Sequence, residues 1–136
     1  MEREPRAARY TDGFGRWYTA LPQEQAHAVT ARINLVERIG PSLGRPTVDR
    51  IHGAPDHKLK ELRFRTMRVL FAFASDQRPV MLVGGDKQGN WTRWYRDAIP
   101  EASRRLARYE RSIGRGESSR TLSSRSRGSS SSERGR

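Results

Sequence analysis

Lys58, Lys60, Arg63, Arg65, Arg68, Lys87, Arg93 and Arg96 all fall within residues 57–96, with Trp91, Trp94 and Tyr95 among them. Cations beside flat aromatic rings can hold phosphates and stack bases. The same residues could equally form a solvated basic face beside rings that close a core. Cutting RNA without a metal requires a deprotonated 2′-hydroxyl, a stabilised pentavalent phosphate and a protonated 5′-oxygen. Cations aimed at the phosphate supply the second requirement, because their field meets charge that develops in the transition state. A lysine whose pKa is lowered by neighbouring cations can act as base, and a tyrosine or cation-bound group as acid. The chain has no cysteine, which excludes thiol nucleophiles, disulfides and Cys-ligated zinc. His27, His52 and His57 show no ligand spacing, so neither a metal nor a cofactor is expected.

These residues need a scaffold, and alternation supplies one. The alternation starting at residue 57 puts Lys58, Lys60, Leu62 and Phe64 on one face and Leu59, Glu61, Arg63 and Arg65 on the other. Residues 67–74 put Met67, Val69, Phe71 and Phe73 on one side and Arg68, Leu70, Ala72 and Ala74 on the second. Arg65-Thr66 is short enough only for a hairpin turn, and residues 75–79 are a turn by composition. Residues 80–83 form a third strand that stops at Gly84-Gly85. The prediction is a three-stranded antiparallel meander with one half-buried face. Gly84-Gly85 reads as a strand-ending device rather than a phosphate cradle, since no helix start is expected to follow it.

Upstream, residues 6–10 suggest an edge strand, and Thr11 or Asp12 can cap a helix bearing Phe14, Trp17, Tyr18 and Leu21. Pro22 opens a second helix over residues 23–39, with Ala26, Val29, Ile33, Val36 and Ile39 on its apolar face; Gly40-Pro41 ends it. Residues 42–55 are turn-rich, pinned by Val48 and Ile51. A last helix is predicted over 97–113, opened by Ile99-Pro100, with Ala102, Leu106, Tyr109 and Ile113 on one face.

Residues 1–113 therefore read as one domain. Residues 114–136 hold nine serines, six arginines and two glutamates, with Leu122 alone as a large aliphatic. Such a tail cannot offset its ordering entropy and is expected to be disordered. The whole chain carries +12; the tail accounts for six minus two, or +4, leaving +8 on residues 1–113. The folded part is basic in its own right, which points to an anionic partner. The longest apolar run, residues 69–74, is too short to span a bilayer, and residues 1–10 lack the apolar core of a secretory signal. No membrane partner and a cytoplasmic location are expected.

With those residues placed, the sequence resembles the RelE/ParE superfamily of type II toxins, closest to its HigB-like, phage-related branch. The resemblance rests on Phe14 and Trp17, on Gly40 to Pro46 (GPSLGRP), and on Lys60-Glu61-Leu62-Arg63. It continues through Arg68 to Phe73 (RVLFAF), Gly84 to Lys87 (GGDK), Trp94-Tyr95 and Ile99-Pro100. It implies an α+β fold: an N-terminal helical hairpin on a small curved antiparallel sheet, with a C-terminal helix. It also implies a ribosome-dependent endoribonuclease acting on mRNA and restrained by a cognate helix-turn-helix antitoxin.

Carried over by position, Lys58 and Lys60 match first-strand lysines that serve as base and phosphate contact. Arg68 matches an arginine that stabilises the phosphate, and Lys87 a basic residue after the last strand. Tyr95 would orient or stack on the RNA, or help position the nucleophile. Some HigB-like members place histidines beside that tyrosine; here its neighbours are Trp94 and Arg96. His57, Arg63, Arg65, Arg93, Trp94 and Arg96 are the expected RNA contacts. Arg68 could instead pair with Glu61, Trp91 and Trp94 could close a core or face the antitoxin, and Asp86 could orient Lys87 or cap the turn. The alternatives to a nuclease are a gyrase-binding inhibitor on the same fold, or an RNA-binding protein without catalysis.

Overall fold

Thr11 sits in extended conformation, and its hydroxyl accepts the free N–H of Phe14 at 3.3 Å, so helix α1 (Asp12–Thr19) starts there. The computed structural model describes residues 6–51, 58–86, 88–89 and 91–115. Helix α2 (Gln23–Ile39) has the predicted bounds and buries Val29, Ile33 and Val36. Ile39, expected on the same face, is 40% exposed. Gly40 then takes φ 83°, a left-handed angle that suits a residue without Cβ, and the chain passes into a 3₁₀ turn, Gly40–Ser42.

Five strands follow the order β1-β5-β4-β3-β2: β1 (Arg9–Tyr10), β2 (Val48–Arg50), β3 (Lys60–Phe64), β4 (Met67–Phe73) and β5 (Pro79–Asp86). The meander is present, and β2 to β5 are antiparallel. Three features depart from expectation. The edge strand β1 pairs parallel with β5, through Arg9↔Val80 and Tyr10↔Met81, so the sheet is mixed. The turn-rich segment contributes β2, because Val48 pairs with Leu62 and buries its side chain. The first meander strand begins at Lys60, not at residue 57.

Both faces of the sheet are covered. Val69, Phe71, Leu62 and Met81 pack with Phe14, Val29, Ile33 and Val36 of α1 and α2. Leu70, Ala72, Val80 and Leu82 pack with Ala98, Ala102 and Leu106 of α3 (Trp91–Gly114). Helix α3 starts six residues before the predicted position and runs through Pro100. A proline in a helix interior orphans the carbonyl four residues earlier. Pro100 lies on the exposed side, where the Arg96 carbonyl can meet water. The apolar stripe through Trp94, Ala98, Ala102 and Leu106 already extends upstream of it.

β5 continues through Gly84 and Gly85 rather than stopping at them. The β4–β5 register shifts between Leu70↔Val83 and Phe71↔Met81, leaving Leu82 as an extra residue. The bulge turns Gly84 towards α1 and Gly85 towards α3. A Cβ on Gly84 would enter the Trp17 indole, and one on Gly85 would enter the Trp94 indole. Each glycine is a notch that lets one tryptophan press on the strand. Gly84→Ala and Gly85→Ala are therefore expected to cost about 1–3 kcal/mol each by overpacking. Gly15→Ala, in α1 with nothing within 4 Å of the added methyl, should stabilise by about 0.5–1 kcal/mol. Urea midpoints of the three variants check both signs.

Candidate active site

The centre of the candidate site is a carboxylate. Glu61, in β3, is 7% exposed on the α3 face of the sheet. Alternation places Glu61 and Arg63 on that face, and the β3–β4 register sets Arg63 opposite Arg68. Tyr95, in the second turn of α3, donates its hydroxyl hydrogen to Glu61 Oε1 at 2.6 Å. Arg63 Nε lies 3.6 Å from Glu61 Oε2, and Arg63 Nη1 donates to Asp49 of β2 at 3.3 Å.

Arg68 is 4% exposed, and its Nη1 donates to the carbonyls of Arg65 (2.6 Å) and Met67 (2.8 Å). Its Nε is 3.8 Å from Glu61 Oε1, too far for a hydrogen bond, and has no acceptor. A buried guanidinium N–H with no partner is costly, and an arriving anion would satisfy it. Burial raises the Tyr95 phenol to about 12, and the Glu61 carboxylate pushes the same way; Arg68 opposes both. Tyr95 is therefore neutral, a proton donor, across the physiological range. Its ring is fixed edge-on by Trp94, with centroids 5.1 Å apart and planes at 79°.

The predicted residues divide into groups. Arg63, Arg65, Arg68, Trp94, Tyr95, Arg93 and Arg96 all lie at the hairpin end of the sheet, where β3 turns into β4 and α3 begins. Arg93 and Arg96 are exposed on the first turns of α3, and Arg96 Nε is 3.7 Å from Asp97. Arg93 lines a groove of about 360 Å³ with Val83, Trp94, Asp86, Asp97 and Glu101, whose acids do not favour a phosphate. Trp91 is 56% exposed. Asp86 caps the turn, accepting Gln88 N–H at 3.0 Å. His57 and Lys87 lie outside the described residues.

Lys58 and Lys60 do not join this centre. Lys58 precedes β3 in a turn, and its Nζ is 3.8 Å from Glu110 of α3. Glu110 is fifteen residues beyond Tyr95, about 22 Å along a helix. Lys60 alternates onto the α2 face, where Nζ donates to the Pro41 carbonyl at 3.1 Å and lies 5.6 Å from the Phe73 ring centroid. Burial, helped by Arg50, holds its pKa below the usual lysine value. That is the direction a base needs, but Lys60 is on the other side of the sheet from Arg68. The residue that sequence reasoning undervalued is Glu61, seen only as a rival partner for Arg68. Its signal was a lone acid amid cations on the Arg63 face.

Among the described residues no group of three or more His, Cys, Asp or Glu could hold a metal ion, and no helix is long and apolar enough to cross a membrane.

The fold and this centre define a small RelE-like α+β protein. Residues 16–107 match the phage-derived Gp49-like proteins (DUF891), and the chain belongs to that family, in its HigB-like toxin branch. It is 46% identical over 92 residues to a Mycobacterium tuberculosis (strain ATCC 25618 / H37Rv) protein named putative toxin HigB3, covering 66% of this chain and 81% of that protein. Putative toxin HigB2 of the same strain is 37% identical over 98 residues, covering 68% of this chain and 49% of that one. Among solved structures, a double-arginine mutant of the E. coli toxin RelE in the free state superposes with a TM-score of 0.55. The match covers 75% of this chain and 98% of that one at 11% identity, a likeness of fold alone.

Removing the Glu61 charge should relax Tyr95. In Glu61→Gln the Tyr95 phenol is expected to fall from about 12 towards the ordinary value near 10, read by ultraviolet titration against Tyr95→Phe. A folded-state pKa raised above the unfolded one contributes stability that is present below pH 10 and lost as pH rises towards 12. Between pH 9 and pH 11.5 the wild type should therefore lose more stability than Tyr95→Phe.

Proposed function

We propose that this chain is the toxin of a type II toxin–antitoxin pair and acts as a ribosome-dependent, metal-independent mRNA endoribonuclease in the cytoplasm. A helix-turn-helix antitoxin holds it inactive. Similarity to two proteins named as putative toxins supports the toxin role. The observation that supports the chemistry is the Nε–H of buried Arg68, which has no hydrogen-bond acceptor and lies 3.8 Å from Glu61, the acceptor of the Tyr95 hydroxyl.

In this reading the scissile phosphate meets Arg63 first, since its side chain is 33% exposed. Tyr95 then swings off Glu61, and the phosphate reaches the Arg68 Nε. Glu61 takes the 2′-hydroxyl proton as the 2′-oxygen attacks phosphorus. The guanidiniums of Arg63 and Arg68 stabilise the charge that builds on the equatorial oxygens. As the bond from phosphorus to the 5′-oxygen breaks, Tyr95 gives its proton to that oxygen. Once the products leave, the Tyr95 phenolate swings back to Glu61 and takes the proton that Glu61 removed from the 2′-hydroxyl, so both groups are restored. The products are a 2′,3′-cyclic phosphate and a 5′-hydroxyl end.

Induced expression without the antitoxin should stop growth and translation, with new 5′-ends mapping inside translated mRNA. Tyr95→Phe or Arg68→Ala should lower cleavage on purified ribosomes by about 10²-fold or more. Replacing a non-bridging oxygen of the scissile phosphate by sulfur should give a cleavage defect that added manganese does not rescue, as expected where no metal touches that phosphate. Intact mRNA with DNA breaks would instead favour gyrase binding, and RNA binding with no cut would leave a non-catalytic protein.

A further inference from the structure

At the rim of this centre two guanidiniums share one ring. Arg32 of α2 lies 4.2 Å from the Phe64 ring centroid, and Arg65 of the β3–β4 hairpin lies 5.4 Å from the same centroid. Neither forms an ion pair with a carboxylate among the described residues. The Arg32 donor with an assigned partner is Nη1, on the Ala28 carbonyl at 3.0 Å. Each guanidinium lies over the ring with no carboxylate to neutralise it, so the arrangement favours an anionic ligand.

Arg65 adds a second argument. Its φ is 56°, in the left-handed region where glycine or asparagine is at home and arginine is not. The turn alone does not call for an arginine there. The same residue's carbonyl anchors Arg68, so its backbone serves the α3-face centre while its side chain reaches the α2 face. A strand with its scissile phosphate at Arg68 would cross the hairpin tip directly onto this stack.

We propose that the Arg32–Phe64–Arg65 stack is a second phosphate-binding subsite, taking the backbone of the RNA strand on the far side of the hairpin from the cut. It rests on the nuclease reading for its substrate but binds without cleaving. Guanidiniums suit this ligand because their forked donors match phosphate oxygens, and the Phe64 ring holds each of them in place.

The test is fluorescence anisotropy with a fluorescein-labelled 2′-O-methyl RNA, uncleavable by 2′-hydroxyl attack, measured over a salt series. Arg32→Gln and Arg65→Gly are compared with Arg38→Gln, an exposed arginine of α2 outside the stack. Arg65→Gly relieves the left-handed angle, so weaker binding there cannot be blamed on a damaged turn. Each stack variant is expected to bind about three- to tenfold more weakly, and to lower the log–log salt slope by about 0.7, the value for one single-strand phosphate. Arg38→Gln should change both less. Unchanged slopes in the stack variants would overturn the subsite, as would unchanged RNA binding with weakened binding of an acidic antitoxin. Falling slopes with no cleavage by wild type would sink the nuclease reading and leave the subsite standing.

Discussion

A carboxylate buried between a sheet and a helix is tolerated only if donors surround it. Taking an ion out of water costs several kcal/mol even after the structure relaxes. Glu61 meets this condition with one donor and two nearby cations from three elements: the Tyr95 hydroxyl on α3 donates to it, and the guanidiniums of Arg63 on its own strand and Arg68 on β4 lie 3.6 and 3.8 Å away. The constraint works in both directions. The anion fixes where the guanidiniums point, and it holds the second turn of α3 against the sheet. The ring, the helix and the cations at the hairpin end are all positioned relative to this group.

α3 can approach so closely because of what β5 lacks. The bulge at Leu82 rotates Gly85 onto the face that carries Arg68, and the missing side chain admits Trp94. Trp94 braces Tyr95, so a glycine on one strand sets the position of a phenol on a helix. A second clamp holds the same pair of layers. Arg105 of α3 donates to the Leu82 carbonyl at 2.6 Å and to Glu101 through Nε at 2.7 Å, and its guanidinium fills the space above Gly13 of α1. The bulged residue is thus tied to both helical layers, because Thr11, the cap of α1, donates to the same Leu82 carbonyl at 3.0 Å.

Much of this was legible in the chain. The apolar spacing and the Gly40 stop delimit α2, Thr11 caps α1, and Arg65-Thr66 leaves room only for a hairpin. Period-2 alternation sorted β3 and β4 correctly, and that sorting already separated Lys60 from Arg63. Matching lysines by position in a family pattern set this aside, although Arg63↔Arg68 pairing across a two-residue hairpin follows from the turn itself. Other features had no local signal. β2 is three residues long and exists only because β3 offers it a partner. Gly84-Gly85 looked like a stop because the residues that need their absent side chains, Trp17 and Trp94, come from other elements. Pro100 looked like a helix start because its exposed position, which makes it bearable inside a helix, appears only once the helix is packed. The disorder expected of the Ser/Arg-rich tail concerns, from residue 116 onward, a segment outside the described residues.

The account places the reaction on the α3 face, around Glu61, and not at the lysine on the other side. Single-turnover cleavage of ribosome-bound mRNA by Glu61→Gln and by Lys60→Gln, with both variants confirmed folded, separates these directly. The account predicts that the glutamate variant loses about two orders of magnitude or more in rate, while the lysine variant stays within a few-fold of wild type. Normal cleavage by Glu61→Gln together with a dead Lys60→Gln would contradict it.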